Sequence, residues 1–379
     1  MKVVLGMSGG VDSSVAAYLL REDGYEVEGV SFILEERRLK PESPLSTCCS
    51  VESVRDAKRT ADLLGIGHSM VNLRNEFVEH VIEPFLRAYS DGLTPNPCIL
   101  CNEHVKFDYL RKIADDRGAA FIATGHYARV EAAATGETIL RKGVDERKDQ
   151  SYVLYVLKRD ILDRLVLPLG GMKKERVREI ARHLRLPSAG RPESQEICFV
   201  GGRNYAAFFD GLAPEAIGPI IQWETGRILG QHKGIHRYTI GQRKRLGVAT
   251  GRPLYVVRID PSRNAVYVGP KEAVFSKEFT AGAVRWLYRG TSFPGGGDEK
   301  GCDEMHVKVK VRSTMKEEPA SITLCGSTAR VVFEEPQWAP APGQSAVFYD
   351  GDRVIGGGVI SEVSVKELHS IASGIADVD

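Results

Sequence analysis

A short apolar run, Val3–Leu5, passes directly into Ser8-Gly9-Gly10-Val11-Asp12-Ser13 and then into an amphipathic stretch. Strand, glycine turn and helix in that order constrain the fold more than any other feature of the chain. Glycines at such a turn let backbone N–H groups approach an anion, and the helix N-terminus adds partial positive charge. No Lys follows the glycines, so the loop is not of the Walker type, whose Lys sits on the β- and γ-phosphates. A cup without a Lys suits pyrophosphate held as a leaving group while an α-phosphorus is attacked. Ser8 and Ser13 offer hydroxyl donors, and Asp12 can engage a Mg²⁺ carried on phosphate oxygens. ATP and Mg²⁺ are the expected ligands.

Through about residue 200, the apolar runs Val27–Ile33, Met70–Leu73 and Phe121–Ala123 alternate with stretches of helical spacing. Val54, Ala61 and Leu64 form one such face; Phe77, Val81 and Phe85 form another. This alternation predicts a doubly wound, mainly parallel sheet that binds ligands beyond the carboxyl ends of its strands. Loops are expected at Glu35–Ser46 and roughly Glu131–Lys148. From about Gly201, turn signals multiply and period-2 runs appear at Leu254–Ile259 and Val307–Arg312. The alternating run His306–Arg312, with Ala346–Tyr349 and Val354–Ile360, predicts a small barrel or sandwich, with Thr291–Glu304 as a loop inside this all-β terminal domain.

A net charge of +1 says nothing for nucleic acid, but its distribution does. Between Thr225 and Ala265, nine Lys/Arg stand against one acid, Asp260, either a solvated face or a phosphate-binding footprint. No apolar run approaches the roughly 18 residues of a membrane helix, and the first residues are not a signal peptide, so a cytoplasmic protein is expected. Seven cysteines, an odd count, fit a reducing compartment. Cys98 and Cys101 stand three apart behind Pro95 and Pro97, and Cys198 lies in ESQEICF. One cysteine can carry sulfur as a persulfide that a second thiolate attacks. A single C-x-x-C is also half a zinc site, although its partner pair is missing because Cys48 and Cys49 are adjacent. Cys98, Cys101 and Cys198 could hold an iron–sulfur cluster with a fourth ligand from elsewhere. Cys302 and Cys325 read as bystanders. Glu193 and Glu196 flank Cys198 and would raise its pKa if close. His126, after a strand end, reads equally as a base or as a structural hydrogen-bonding residue.

With these residues in view, the chain resembles the bacterial tRNA-specific 2-thiouridylase family of the ATP pyrophosphatase superfamily along nearly its whole length. The matching strings are GMSGGVDSSV, TPNPCILCNEHVKF, ATGHYARV, KDQSYVLY, ESQEICFV, HRYTIGQRKRLGV and PGQSAVFYDGDRVIGGGVI. The resemblance implies that Gly6, Met7, Ser8, Gly9, Gly10, Val11, Asp12 and Ser13 hold the ATP phosphates, with Phe32 and Gly125 against the adenosine. It implies that Asn96, Pro97 and Cys98 meet the target base, that Cys101 is the nucleophile and that Cys198 carries the persulfide. The two can close a disulfide during turnover. Lys148, Asp149, Gln150, Arg312 and Ser313 are implied tRNA contacts.

The implied fold is a catalytic α/β domain over 1–203, a small basic middle domain over 204–274 and a C-terminal β-barrel over 275–365, with a tail over 366–379. The implied partners are glutamate, glutamine and lysine tRNAs and a sulfur donor, a cysteine desulfurase or relay protein; a monomer is expected, and no ligand set for a resident metal is assigned. Two departures stand out. Many relatives carry Asp where this chain has Cys98, and Arg245 and Ser313 replace a glycine and an aromatic residue. The rival readings are a superfamily enzyme without persulfide chemistry and a zinc-stabilised RNA-binding module.

Overall fold

The structure, a computed structural model, describes residues 1–34, 51–191, 197–200, 208–209, 215–248, 250–288 and 304–364. The chain begins β1 (Lys2–Gly6), α1 (Val11–Glu22), β2 (Glu26–Ile33), α2 (Val51–Leu64), β3 (Gly67–Asn72). Two long helices follow, α3 over residues 74–90 and α4 over 97–116, interrupted by π-helical turns at Val78–Ile82 and Cys101–Lys106. β4 (Phe121–Ala123) leads to the hairpin β5 (Ala128–Ala132) and β6 (Thr138–Lys142), then β7 (Leu165–Val166) and α5 (Lys174–His183).

Five strands form a sheet of order β3-β2-β1-β4-β7 with parallel pairings throughout. Successive side chains of a strand point to opposite faces, so Val3 and Leu5 of β1 pack with Ala16, Leu20 and Val177 of α1 and α5. Val4 faces the other way, toward Phe77, Phe85 and Leu110 of α3 and α4. The expected doubly wound architecture follows. β1 has β2 on one side and β4 on the other, so the connections leaving their carboxyl ends diverge and open a crevice, where such sheets bind ligands.

The middle of the chain is a four-stranded sheet of order β10-β11-β8-β9, made of β8 (Gly218–Gln222), β9 (Ile228–His232), β10 (Tyr255–Asp260) and β11 (Ala265–Gly269). It closes over Ile220, Val256, Val266 and Val268. The last six strands are β12 (Phe275–Trp286), β13 (Glu304–Lys310), β14 (Glu318–Cys325), β15 (Thr328–Trp338), β16 (Ser345–Asp350) and β17 (Arg353–Val363). They pair antiparallel, and β12 pairs with both β15 and β17, which closes a barrel around Phe279, Ile322, Phe333 and Phe348.

The expected loop at 131–148 is corrected. It contains the end of β5 and all of β6, and β6 joins β17 at Arg141↔Arg353. Charge made these residues read as loop, but the charges are paired: Arg129 and Arg141 both meet Glu131 and Asp352. The expected loop at Glu35–Ser46 lies outside the described residues, as does Thr291–Glu304 apart from Glu304, which opens β13. Among the described residues no helix is long and apolar enough to cross a membrane.

Candidate active site

The crevice between β1 and β4 holds a cavity of about 560 Å³. Gly6, Met7, Ser8, Gly10, Val11, Asp12 and Ser13 line it from the β1 side, Phe32 from β2 and Gly125 from the end of β4. Gly9 stands behind the wall with φ +74°, and a Cβ there would collide with the Ser53 carbonyl at the start of α2. Only glycine both adopts that backbone easily and allows the approach. The loop folds around Ser13, whose hydroxyl accepts from the Ser8 N–H at 3.2 Å and donates to the Gly10 carbonyl at 3.2 Å. Gly10, the residue before α1, brings no side chain to cap the helix, which leaves first-turn N–H groups for an anion.

The cup is not free of lysine. Lys174, the first residue of α5, places its ammonium 2.6 and 2.7 Å from the two Asp12 carboxylate oxygens, and the Tyr127 hydroxyl donates to the same carboxylate at 2.7 Å. Lys106, Arg147, Lys148, Arg178 and Arg191 join Lys174 in the wall, against the carboxylates of Asp12 and Asp149. Such an excess suits a polyphosphate. The donor set fits a Mg²⁺ that arrives on phosphate oxygens, as is usual for that ion. Asp12 would supply the protein oxygen. Among the described residues, no group of three or more His, Cys, Asp or Glu side chains is gathered to hold a metal ion.

Lys148, Asp149 and Gln150 line the same cavity. The Asp149 carboxylate is spent on folding its own loop. It accepts from the N–H groups of Gly143 and Ser151 at 3.0 and 3.1 Å and from the Ser151 hydroxyl at 2.9 Å. The Gln150 side-chain oxygen accepts from the Tyr127 N–H at 2.9 Å. Arg312 turns inward, donating to the carbonyls of Ala339 and Ile240, each at 2.9 Å. Ser313 is exposed, and its neighbour Thr314 reaches the cavity wall.

The cysteines sit beside the cavity rather than in its wall. Asn96 precedes α4 and its side chain accepts from the Cys98 N–H at 3.1 Å, with Pro97 at the first helical position. Cys98 is exposed in that first turn and Cys101 is buried behind it. Cys101 opens the π-helical turn whose last residue, Lys106, lines the cavity. Cys198 is half-buried; the next residue, Phe199, packs against Phe77, Phe85 and Phe208 with centroids 5.8, 5.3 and 5.2 Å apart. Cys101 and Cys198 both pack into the hydrophobic core on the α3–α4 face of the sheet. Cys48, Cys49, Glu193, Glu196 and Cys302 lie outside the described residues, and Cys325 is exposed at the end of β14.

Three family models match in sequence along the chain: a tRNA methyl transferase HUP domain over residues 1–202, a tRNA methyl transferase PRC-barrel domain over 206–270 and an aminomethyltransferase β-barrel domain over 276–360. The tRNA-specific 2-thiouridylase MnmA 2 of Caldanaerobacter subterraneus subsp. tengcongensis is 47% identical over 95% of this chain and 97% of its own length. This chain belongs to the tRNA-specific 2-thiouridylase family. The tRNA-specific 2-thiouridylase MnmA of Clostridioides difficile, 43% identical over 95% of this chain and 98% of its own, places it there as well. Among solved structures, a 4-thiouridine synthetase–RNA complex with bound ATP aligns over 54% of this chain and 46% of that one, at 22% identity and TM-score 0.32. Nothing about activity follows from so loose a likeness.

Within this family frame, the sequence left several wall residues unmarked. Lys174, Arg178 and Arg191 come from the far end of the domain, and no spacing ties them to the loop after β1. His126 follows β4 and lines the same wall. Its Nδ1 lies 2.7 Å from the Thr124 hydroxyl, and its ring stacks on Phe107. Burial, with Lys106 nearby, pulls its pKa from 6.5 down to about 3, so it is a neutral imidazole in the wall at physiological pH.

Proposed function

We propose that this protein is an ATP-dependent tRNA-uridine 2-sulfurtransferase acting on the wobble uridine. The reading is supported by one cavity in which the anion cup and the Lys148–Gln150 segment share a wall, with Cys101 one π-helical turn from Lys106 of that wall. Uridine O2 attacks the α-phosphorus of ATP, the bond to the β-phosphate oxygen breaks, and pyrophosphate leaves into the cup. The adenylylated oxygen is then a good leaving group. Mg²⁺ bound to the phosphates would neutralise charge there.

Sulfur comes from a persulfide on Cys198. Either its terminal sulfur attacks C2 and AMP leaves, after which Cys101 attacks the Cys198 sulfur and frees the thiocarbonyl; or Cys101 attacks first and releases hydrosulfide, which attacks C2, expels AMP and loses its proton to leave the thiocarbonyl. Both routes leave a Cys101–Cys198 disulfide that an external thiol must reduce before the next persulfide is loaded. The base must leave its stack to enter, at a cost of a few kcal/mol. Glutamate, glutamine and lysine tRNAs are the proposed acceptors, a cysteine desulfurase or relay protein the donor, and the protein acts as a cytoplasmic monomer. Cys98 stands where many relatives carry Asp, so no proton transfer is assigned to that position.

The test combines protein, ATP-Mg²⁺, a cysteine desulfurase with cysteine, and unmodified tRNA, with 2-thiouridine read by mass spectrometry. Cys198→Ser should bind ATP and make no thiolated product. Normal thiolation by that variant rules the mechanism out.

A further inference from the structure

A lysine 162 residues away in sequence from Asp12 places its ammonium against that carboxylate in the cup. The geometry points to Lys174 as the binding residue for the β- and γ-phosphates of ATP and for departing pyrophosphate, kept in readiness by Asp12 until the polyanion arrives. This rests on the reading of the cup as an ATP site.

Three observations carry it. First, the Lys174 side chain is only 8% exposed, yet it forms part of the cavity wall. A desolvated ammonium requires an anionic partner, and the carboxylate that serves now, Asp12, belongs to the phosphate loop itself. Second, the Lys174 backbone is fixed independently of Asp12. Its N–H donates to the Asp145 carboxylate at 2.9 Å, and Lys173, the residue before α5, offers no side-chain cap. The ammonium therefore stays at the cup when Asp12 lets go. Third, Arg178 lies one turn further along α5 and enters the same wall, as residues four apart on a helix share a face. α5 thus presents two cations to one cavity. It supplies from outside the loop the charge that a Walker loop carries within it.

The alternative is that Lys174 does no more than neutralise Asp12. Binding of inorganic pyrophosphate without divalent metal, followed by calorimetry, separates the two, because Asp12 cannot then act through Mg²⁺. Lys174→Met should bind pyrophosphate roughly tenfold to a hundredfold more weakly than the parent, the range of a charge-assisted hydrogen bond, and Lys174→Arg should recover much of that loss. The deciding comparison is Asp12→Asn against Asp12→Asn/Lys174→Met. The double variant leaves no unpaired carboxylate or ammonium at this contact, so it reports even if Lys174→Met alone folds poorly. A tenfold or greater deficit in the double variant supports a phosphate contact. Equal affinity of the two means that Lys174 only cancels Asp12, which overturns the proposal. Release of pyrophosphate by the parent protein on adding tRNA and ATP-Mg²⁺ is measured alongside. Its failure would count against the sulfurtransferase reading and leave the Lys174 result standing.

Discussion

His126 shows how the cavity fixes a protonation state. Folded, it resists protonation down to about pH 3, while the unfolded chain takes up a proton below its ordinary 6.5. Between those values the unfolded state binds more protons, so stability is full above pH 6.5 and falls as the pH is lowered. Taking the protein from pH 7 to pH 5 should cost about 2 kcal/mol through this one group, and His126→Gln should flatten that limb in urea titrations. An unchanged limb would mean that the imidazole is charged in the folded protein. Arg245 is a second residue-scale case. It adopts φ +63°, a left-handed conformation that costs a residue with a Cβ roughly 1 kcal/mol and that suits the glycine which the resemblance implies at this position. Arg245→Gly should raise the thermal midpoint, while Arg245→Ala, which keeps the strain and loses the charge, should not. The strain was legible only against the family string, since nothing in an isolated arginine reports its φ. Lys174 was not legible at all, because helix α5 meets the loop after β1 only in the folded chain.

The elements explain why the marked strings lie where they do. The segment before α4 is seated on the barrel: the Thr94 N–H donates to the Pro342 carbonyl at 2.8 Å, and Gly343, at φ +90°, would bring a Cβ within 2.8 Å of the Thr94 nitrogen. Gly343→Ala should push this seat apart and cost about 1–3 kcal/mol. Because Asn96, Pro97 and Cys98 follow directly, thiolation should drop while ATP affinity holds. Loss of both together, or of neither, would show that the seat does not position Cys98. β1, β2 and β4 were legible as apolar runs, and β13, β16 and β17 of the barrel were legible in part; β7, β12, β14 and β15 were not marked, and β3 was marked by Met70–Leu73 although Met70 is 62% exposed. The β5–β6 hairpin was not legible, because its charged residues pair along β5 (Arg129 with Glu131) and across to β6 (Arg141 with Glu131), and they break the apolar alternation that marks a strand. The π-helical turns carry no sequence signal of their own, yet one of them joins Cys101 to the cavity wall.

Across the whole molecule, strings far apart in sequence meet in pairs. Lys310 of β13 lies 3.8 Å from Asp149, the Tyr152 hydroxyl donates to the Ser345 carbonyl at 2.7 Å, and the Ser151 and Tyr349 hydroxyls lie 3.3 Å apart. The barrel therefore braces the loop that lines the cavity, while Arg312 fastens barrel to middle domain through Ile240. The basic stretch of the middle domain is less one-sided than its sequence window, because partners come from outside that window. Lys233 and Arg237 face Glu215 at 3.8 and 4.0 Å, and Arg252 pairs with Glu224. Arg243, Lys244 and Arg245 are exposed on one loop. If that loop meets the tRNA backbone, Arg243→Ala/Lys244→Ala should weaken tRNA binding and make its logarithmic salt dependence shallower by about 1–2. ATP affinity should stay as it was. Filter binding between about 50 and 200 mM salt reads the slope. An unchanged slope would place these two cations off the phosphate path and return the basic stretch to a solvated surface.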